Sequence, residues 1–178
     1  MNFRILDEEN AEEVAALFTA AFASSEGAEE GARVGKLAAE LASQTDNREI
    51  ICLGACEGDT VIGAIFFTRL DFNRPVEVFL LAPVAVAGSF QGKGVGQALI
   101  EHGLNELRSR SVDLAITYGD PSFYSRVGFS PLSTATVQPP LPLSLPHGWL
   151  GQSLNGEPIP TLRERPSCVQ AFRDPVYW

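Results

Sequence analysis

The chain has 178 residues, 45% of them hydrophobic and 20% charged, with a formal net charge of −9. That length can build a sizeable core, and the composition is that of an ordinary globular protein. The acidic balance argues against nonspecific nucleic-acid or anionic-membrane binding, since no excess of cations is there to displace counterions, and no run nears the ~18 apolar residues of a membrane span.

The opening MNFRILDEEN has acids where a secretory signal needs a basic region and then an apolar one, so a cytoplasmic location is the expectation. Residues 3–6 read as a short strand. Asn10 with Glu13 three residues on has the spacing of a capping box. Val14, Leu17, Phe18, Ala21 and Phe22 fall at i, i+3, i+4, i+7 and i+8, which predicts a helix over 11–23. A second helix is predicted over 28–44, with Val34, Leu37, Ala38 and Leu41 on one face. Gly31 and Gly35 weaken it by about 1 kcal/mol each, which predicts a mobile or substrate-shaped region.

Residues 49–70 read as a hairpin, two β-rich runs about an EGDT turn. Cys52 and Cys56 lie at an even spacing within it and point to one face. CxxxC without a nearby His is a poor zinc signature, so Cys52, Cys56 and Cys168 are expected as reduced thiols, with no metal. A third strand over 76–86 contains Pro83, and prolines within strands belong to edges or bulges. The sequence QGKGVG follows it. Val95, Leu99, Gly103, Leu104 and Leu107 then mark a long amphipathic helix, closed by Arg108 and Arg110 at the negative end of its dipole. Residues 112–119 are the next strand.

DPSFYSRVGF predicts a compact helix. Asp120 is a good N-cap, Pro121 suits the first helical position and Gly128 supplies a left-handed stop. Phe129 starts a return strand. Prolines interrupt 131–161 repeatedly, where a short irregular element around HGWL, anchored by Trp149, is expected. SCVQAF (167–172) reads as a last strand. No repeat or linker divides the chain, which predicts one domain over 1–178, with a core over 1–135 completed by the proline-rich segment 136–178.

A strand, a glycine loop and a helix in succession make an anion site, because loop N–H groups converge where the helix dipole is positive. A Walker-A loop fails at both ends, since Gly94 follows Lys93 and Ala87 stands five before Gly92. A Rossmann fingerprint fails as well, since the last glycine is Gly96 and position 97 is Gln97. QGKGVG does match the [RQ]xxGx[GA] loop of the GCN5-related N-acetyltransferases. FYSRVGF resembles that family's second landmark, a short helix carrying a tyrosine four residues before Gly-Phe. The combination LLAPVAV, QGKGVGQALI, YGDPSFYSRVGF looks most like the bacterial YhbS-type subgroup. The resemblance is strong over 76–130, consistent in element order over 1–75 and loose after 131.

The resemblance implies an α/β fold with a mixed, mostly antiparallel sheet, helices on both faces and a splayed strand pair at the acetyl-CoA site. It implies that the pantetheine arm pairs with the strand at Val84, Ala85 and Val86. The loop Gln91, Gly92, Lys93, Gly94, Val95 and Gly96 then holds the pyrophosphate. Pro83 marks the splay. Tyr124 matches the family's general acid, and a phenol of pKa about 10 can protonate a departing thiolate of pKa about 8.5. Phe123, Phe129 and Arg126 are packing or peripheral candidates. Where histone-modifying members carry a glutamate base, this chain has Leu80; Glu77, three residues earlier, points to the opposite face, so no residue takes the base role. The function implied is transfer of an acetyl group from acetyl-CoA to a primary amine, small or on a peptide, by direct attack in a ternary complex. The alternatives are a non-catalytic acyl-CoA-binding or regulatory module on the same fold, or transfer of another acyl group. The C-terminal segment leaves pairing into a homodimer open.

Overall fold

The computed structural model describes residues 1–178. In chain order its elements are β1 (Asn2–Leu6), α1 (Ala11–Glu26), α2 (Ala28–Ser43), β2 (Ile50–Glu57), β3 (Thr60–Arg69), β4 (Val78–Val86), α3 (Val95–Ser109), β5 (Leu114–Tyr118), α4 (Pro121–Tyr124), β6 (Ser130–Pro131) and β7 (Trp149–Ser153). The strands form one seven-stranded sheet in the order β1-β2-β3-β4-β5-β7-β6. β4 and β5 run parallel, while β1–β2, β5–β7 and β6–β7 are antiparallel. This is the mixed, mostly antiparallel α/β sheet expected. No helix is long and apolar enough to cross a membrane. The chain divides into two compact units, Met1–Phe67 with Pro83–Gly103, and Thr68–Ala82 with Leu104–Trp178.

In the first unit, strand alternation sorts β3 onto two helical layers. Phe66 packs on Phe18 of α1, with ring centroids 5.7 Å apart. Its neighbours Ile65 and Phe67 point the other way, where a methyl group on Gly103 of α3 would lie 2.9 Å from Ile65 and 2.5 Å from Phe67. Helices therefore cover both faces. The glycines of α2 have a packing reason that helix propensity does not show. A methyl group on Gly31 would come within 2.6 Å of Ala23 Cβ, and one on Gly35 would overlap Thr19 Oγ1. Both glycines are buried, and they let α2 lie close along α1. The region expected to be mobile or substrate-shaped is a tight helix–helix seam.

The cap at the start of α1 also differs from expectation. Asp7 and Asn10 form the capping box, around a single 3-10 turn over Glu8–Asn10. Asp7 Oδ1 accepts from Glu9 N at 3.0 Å and Asn10 Oδ1 accepts from Asp7 N at 3.3 Å. Glu13 instead accepts a hydrogen bond from Val61 N at 2.8 Å, tying α1 to β3. Cys52 and Cys56 are buried and unpaired, and burial pushes the Cys52 thiol far up from its ordinary value.

In the second unit, β4 and β5 pair from Val78↔Leu114 to Leu81↔Thr117. β4 itself continues to Val86. The ladder thus ends two residues before Pro83, at the point where a strand without an N–H loses least by parting from its neighbour. On its other side β5 pairs with β7, with Tyr118 opposite Trp149. Trp149 is fully buried and donates its indole N–H to Val137 O at 2.9 Å, which makes it the anchor expected of HGWL. The predicted strand over 167–172 does not form. Ser167 makes one isolated bridge to Asp71, and Gln170–Phe172 is a 3-10 turn whose Phe172 packs against Trp178. The strand that pairs with β5 on that side is β7.

Candidate functional site

The loop after β4 belongs to the first unit. Gly88–Phe90 form a 3-10 turn, closed by Phe90 N donating to Ala87 O at 2.8 Å and Gln91 N donating to Gly88 O at 3.3 Å. The Gln91 side chain reaches back, its Nε2 donating to Val86 O at 2.9 Å, and so ties the loop to the end of the strand. Gly92 and Gly94 then adopt φ of +72° and +79°. A Cβ at either would meet open space, so these glycines are required by backbone conformation and not by crowding. Gly94 O accepts the first bond of α3, from Ala98 N at 3.0 Å. The N–H groups of Gly94, Val95, Gly96 and Gln97 lie ahead of the first α-helical bond and have no acceptor within α3. They cluster at the positive end of the 15-residue α3. Lys93 is exposed, its Nζ 5.5 Å from the centre of the Phe90 ring.

Along β4, Ala85 is buried while Val84 and Val86 are half-buried. Gly63 of β3 lies beside Ala85 and the α3 residues Val95 and Leu99; a Cβ there would make ordinary van der Waals contact, 3.4 Å from Ala85 O and 3.5 Å from Leu99 and Val95. These apolar contacts hold the end of β4 and the start of α3 on one frame, so the loop between them has fixed ends.

Tyr124 belongs to the second unit and is placed by the local punctuation of its helix. Asp120 caps it, its carboxylate accepting from Ser122 N at 2.9 Å and from Ser122 Oγ at 2.9 and 3.0 Å, and those bonds hold its pKa below the usual carboxylate range. Pro121 occupies the first turn. Gly128 closes the turn at φ +94°, and Phe129 N returns to Tyr124 O at 3.2 Å. Phe123 and Phe129 press edge-on against the Tyr124 ring, with centroids 5.0 and 5.8 Å away, which gives both a packing role. A Cβ on Gly119 would lie 2.7 Å from Tyr124 Cε2, so that glycine makes room for the ring.

The Tyr124 residue is half-buried, but its phenol is withdrawn from water, and this desolvation raises its pKa above the ordinary tyrosine value. The neighbouring Thr117 hydroxyl opposes the shift and the nearby Asp120 charge adds to it. Thr117 is fully buried and donates its Oγ1 hydrogen to Leu81 O at 2.8 Å. Sequence reading passed over Thr117. The available signal was a lone hydroxyl in the apolar run LAITY, placed on a buried strand where a hydroxyl needs a partner.

Two other features lie away from this arrangement. Glu77 precedes β4, ion-paired with Arg69, and its backbone N donates to Asp113 Oδ2 at 2.8 Å. It sits at the end of β4 opposite from residues 84–86. Leu80, where a glutamate base would stand, is buried. A cavity of about 340 Å³ opens beside Val76, Asp113, Leu114, Ser153 and Leu162, at the start of β5. Tyr124 follows the other end of that strand, so this cavity is no part of the arrangement around it.

The acetyltransferase (GNAT) domain model matches residues 2–132 of the chain. The chain belongs to this family. Among curated proteins it resembles the uncharacterized N-acetyltransferase YjhQ of Escherichia coli K12, 35% identical over 113 residues, which are 60% of this chain and 62% of the relative. It also resembles the uncharacterized N-acetyltransferase YhbS of the same strain, 34% identical over 70 residues, 39% of this chain and 42% of the relative. The matched stretches thus span less than two thirds of either relative's length. Among solved structures, E. coli YhbS in complex with CoA shares the fold with a TM-score of 0.73 at 24% identity, covering 86% of this chain and 81% of the other. A GNAT family acetyltransferase from Brucella melitensis in complex with acetyl-CoA does so with a TM-score of 0.70 at 24% identity, covering 96% and 97%.

Proposed function

We propose that this chain transfers an acetyl group from acetyl-CoA to a primary amine in the cytoplasm, by direct attack of the amine on the thioester. The observation that carries this reading is the start of α3 directly behind two left-handed glycines, where the first-turn N–H groups have no acceptor within the helix. Amides at a helix N-terminus, behind a loop with two left-handed glycines, suit a pyrophosphate. Lys93 adds a positive charge to the same loop. Val84, Ala85 and Val86, on the part of β4 beyond its ladder with β5, offer backbone groups to the pantetheine arm. Membership of the GNAT family, the N-acetyltransferase names of YjhQ and YhbS, and the CoA and acetyl-CoA held by the two solved neighbours support the same ligand.

In the reaction, the amine nitrogen attacks the thioester carbonyl and the C–S bond breaks, its electron pair leaving on sulfur. Tyr124 gives its phenolic proton to that thiolate. Its raised pKa keeps it protonated at neutral pH, which is the state a general acid needs. An alkylamine of pKa about 10.4 must first lose a proton, at a cost of roughly 4–5 kcal/mol at pH 7. Glu77 is held by Arg69 and takes no part, so the amine reaches its neutral form through solvent.

The test is free-thiol release from acetyl-CoA against a panel of an aminoglycoside, a polyamine and a lysine-containing peptide, with CoA binding measured in parallel. Amine-dependent thiol release that falls by roughly 10²–10⁴-fold in Tyr124→Phe is the expected result. Tight CoA binding with no turnover on any of these amines, and a silent Tyr124→Phe, would establish a binding module instead.

A further inference from the structure

We infer that the cavity beside the start of β5 is a second binding site, separate from the Tyr124 arrangement, for a small protonated amine with an apolar body, whose ammonium group is held by the Asp113 carboxylate. Every residue that lines it lies in the second unit, and its occupancy does not depend on acetyl transfer.

The walls of the cavity are fixed before any ligand arrives. Its volume of about 340 Å³ falls within the ~300–1,000 Å³ of small-molecule sites. Val76, Leu114, Ile159 and Leu162 supply apolar surface. Pro75, Pro158 and Pro160 stiffen the two wall segments, since each ring fixes its own φ. Leu162 is buried and tied down by its backbone, with its N donating to Thr136 O at 2.6 Å and its O accepting from Gln138 N at 3.0 Å. At the other end of that wall, Asn155 Oδ1 accepts from Ser153 Oγ at 3.0 Å and from Glu157 N at 2.9 Å. Walls ordered in advance lose little entropy on binding.

Asp113 gives the cavity its chemistry. It is half-buried and held by its backbone, with its N donating to Glu77 O at 2.9 Å and its O accepting from Leu154 N at 2.8 Å. Its carboxylate is held as well, with Oδ2 accepting from Glu77 N at 2.8 Å and Oδ1 from Asn155 Nδ2 at 3.0 Å. These donors are neutral, and no ion pair of the chain takes the carboxylate. A carboxylate has about four acceptor sites, so each oxygen keeps room for a further donor. The other charged groups lining the cavity are Arg74 and Glu157. Arg74 already has an acid partner, Glu164 at 3.8 Å, and Glu157 is exposed. Two carboxylates thus face one guanidinium that is drawn elsewhere. A protonated amine meets that imbalance, and its charge-assisted N–H···O bond to Asp113 is stronger than a neutral one. The apolar body of the ligand then covers Val76 and Ile159. A ligand carboxylate is repelled by both acids.

The experiment titrates benzylamine, benzyl alcohol and benzoate into the full chain and follows the ¹⁵N amide signals of Asp113, Leu114, Asn155 and Ile159. Benzylamine should shift these signals together and saturably, at millimolar concentration or below. Benzyl alcohol has nearly the same shape without the charge and should bind roughly 10-fold more weakly. Benzoate should give no saturable shift. Val76→Phe places a ring in the cavity and should abolish the benzylamine shifts while the rest of the spectrum stays in place. Asp113→Asn should weaken benzylamine to the level of benzyl alcohol. No saturable shift with benzylamine, equal affinities for benzylamine and benzyl alcohol, or tighter binding of benzoate each overturns the inference. Unchanged benzylamine binding in Val76→Phe overturns it as well. Should Asp113→Asn lose its fold, the three probes on the unaltered chain and Val76→Phe still decide.

Discussion

Replacing Gly94 by alanine separates the backbone requirement of the loop from its ligand role. Gly94 has φ +79°, and a Cβ there meets nothing within 4 Å. The substitution therefore creates no clash, and its stability cost is the left-handed conformation alone, roughly 1–2 kcal/mol. For a chain of this size that lowers Tm by about 2–8 °C. Gly58, in the turn between β2 and β3, is the matched control, with φ +59° and an equally open surround. Gly58→Ala should cost the same stability. The two variants part on ligand binding. Relief of strain at residue 94 redirects the amides beside it, and loss of one or two hydrogen bonds to a charged phosphate costs about 1.5–3 kcal/mol each. The Kd for CoA should rise by about 10-fold to more than 100-fold in Gly94→Ala and stay at the wild-type value in Gly58→Ala. Isothermal titration with CoA, beside thermal unfolding of each variant, makes the measurement. Equal CoA affinity in the two variants, with equal losses of Tm, would show that the loop amides do not hold the pyrophosphate.

Gly35→Ala places a methyl group onto Thr19 Oγ1 in the α1–α2 seam; it should destabilise by about 1–3 kcal/mol, seen in urea unfolding, and Gly35→Ala with Thr19→Ala should recover much of the loss. Trp149→Phe removes the donor to Val137 O and leaves that buried carbonyl unpaired, an expected loss of about 1–3 kcal/mol by the same assay. Burial raises the Tyr124 pKa in the folded state, so the folded protein binds this proton more tightly than the unfolded chain. The stability this contributes is fully present below the unfolded pKa of about 10 and is lost as pH rises through the folded value. Alkaline unfolding, followed by circular dichroism, should therefore be shallower above about pH 10 in Tyr124→Phe than in wild type, and an unchanged slope would contradict a buried phenol.

Local chemistry made parts of this chain legible. Asp120, Pro121 and Gly128 punctuate α4 as their residue types require, since caps and left-handed stops depend on near neighbours only. The two N-terminal helices, the β2–β3 hairpin and α3 follow their periodicities closely. The glycine loop was readable for the same reason, because positive φ is a demand that glycine meets within a single residue. Pro83 gave a correct hint of where β4 leaves β5, although the last pair lies at Leu81.

Where partners are distant in sequence, local signals mislead. Asn10 and Glu13 have capping-box spacing, yet Glu13 is taken by Val61 N, 48 residues away. Gly31 and Gly35 look like weak points of a helix until Thr19 and Ala23 are placed against them. The run at 167–172 has strand character, but it makes one isolated bridge to Asp71 and then a 3-10 turn, while β7 pairs with β5. The sequence by itself determined the order of elements through α4, the glycine-loop pattern and the tyrosine with its helix. Only the tertiary structure decided that the buried Thr117 hydroxyl is taken by Leu81 O, because that partner is set by the pairing of β4 with β5, 36 residues apart, which no local pattern encodes.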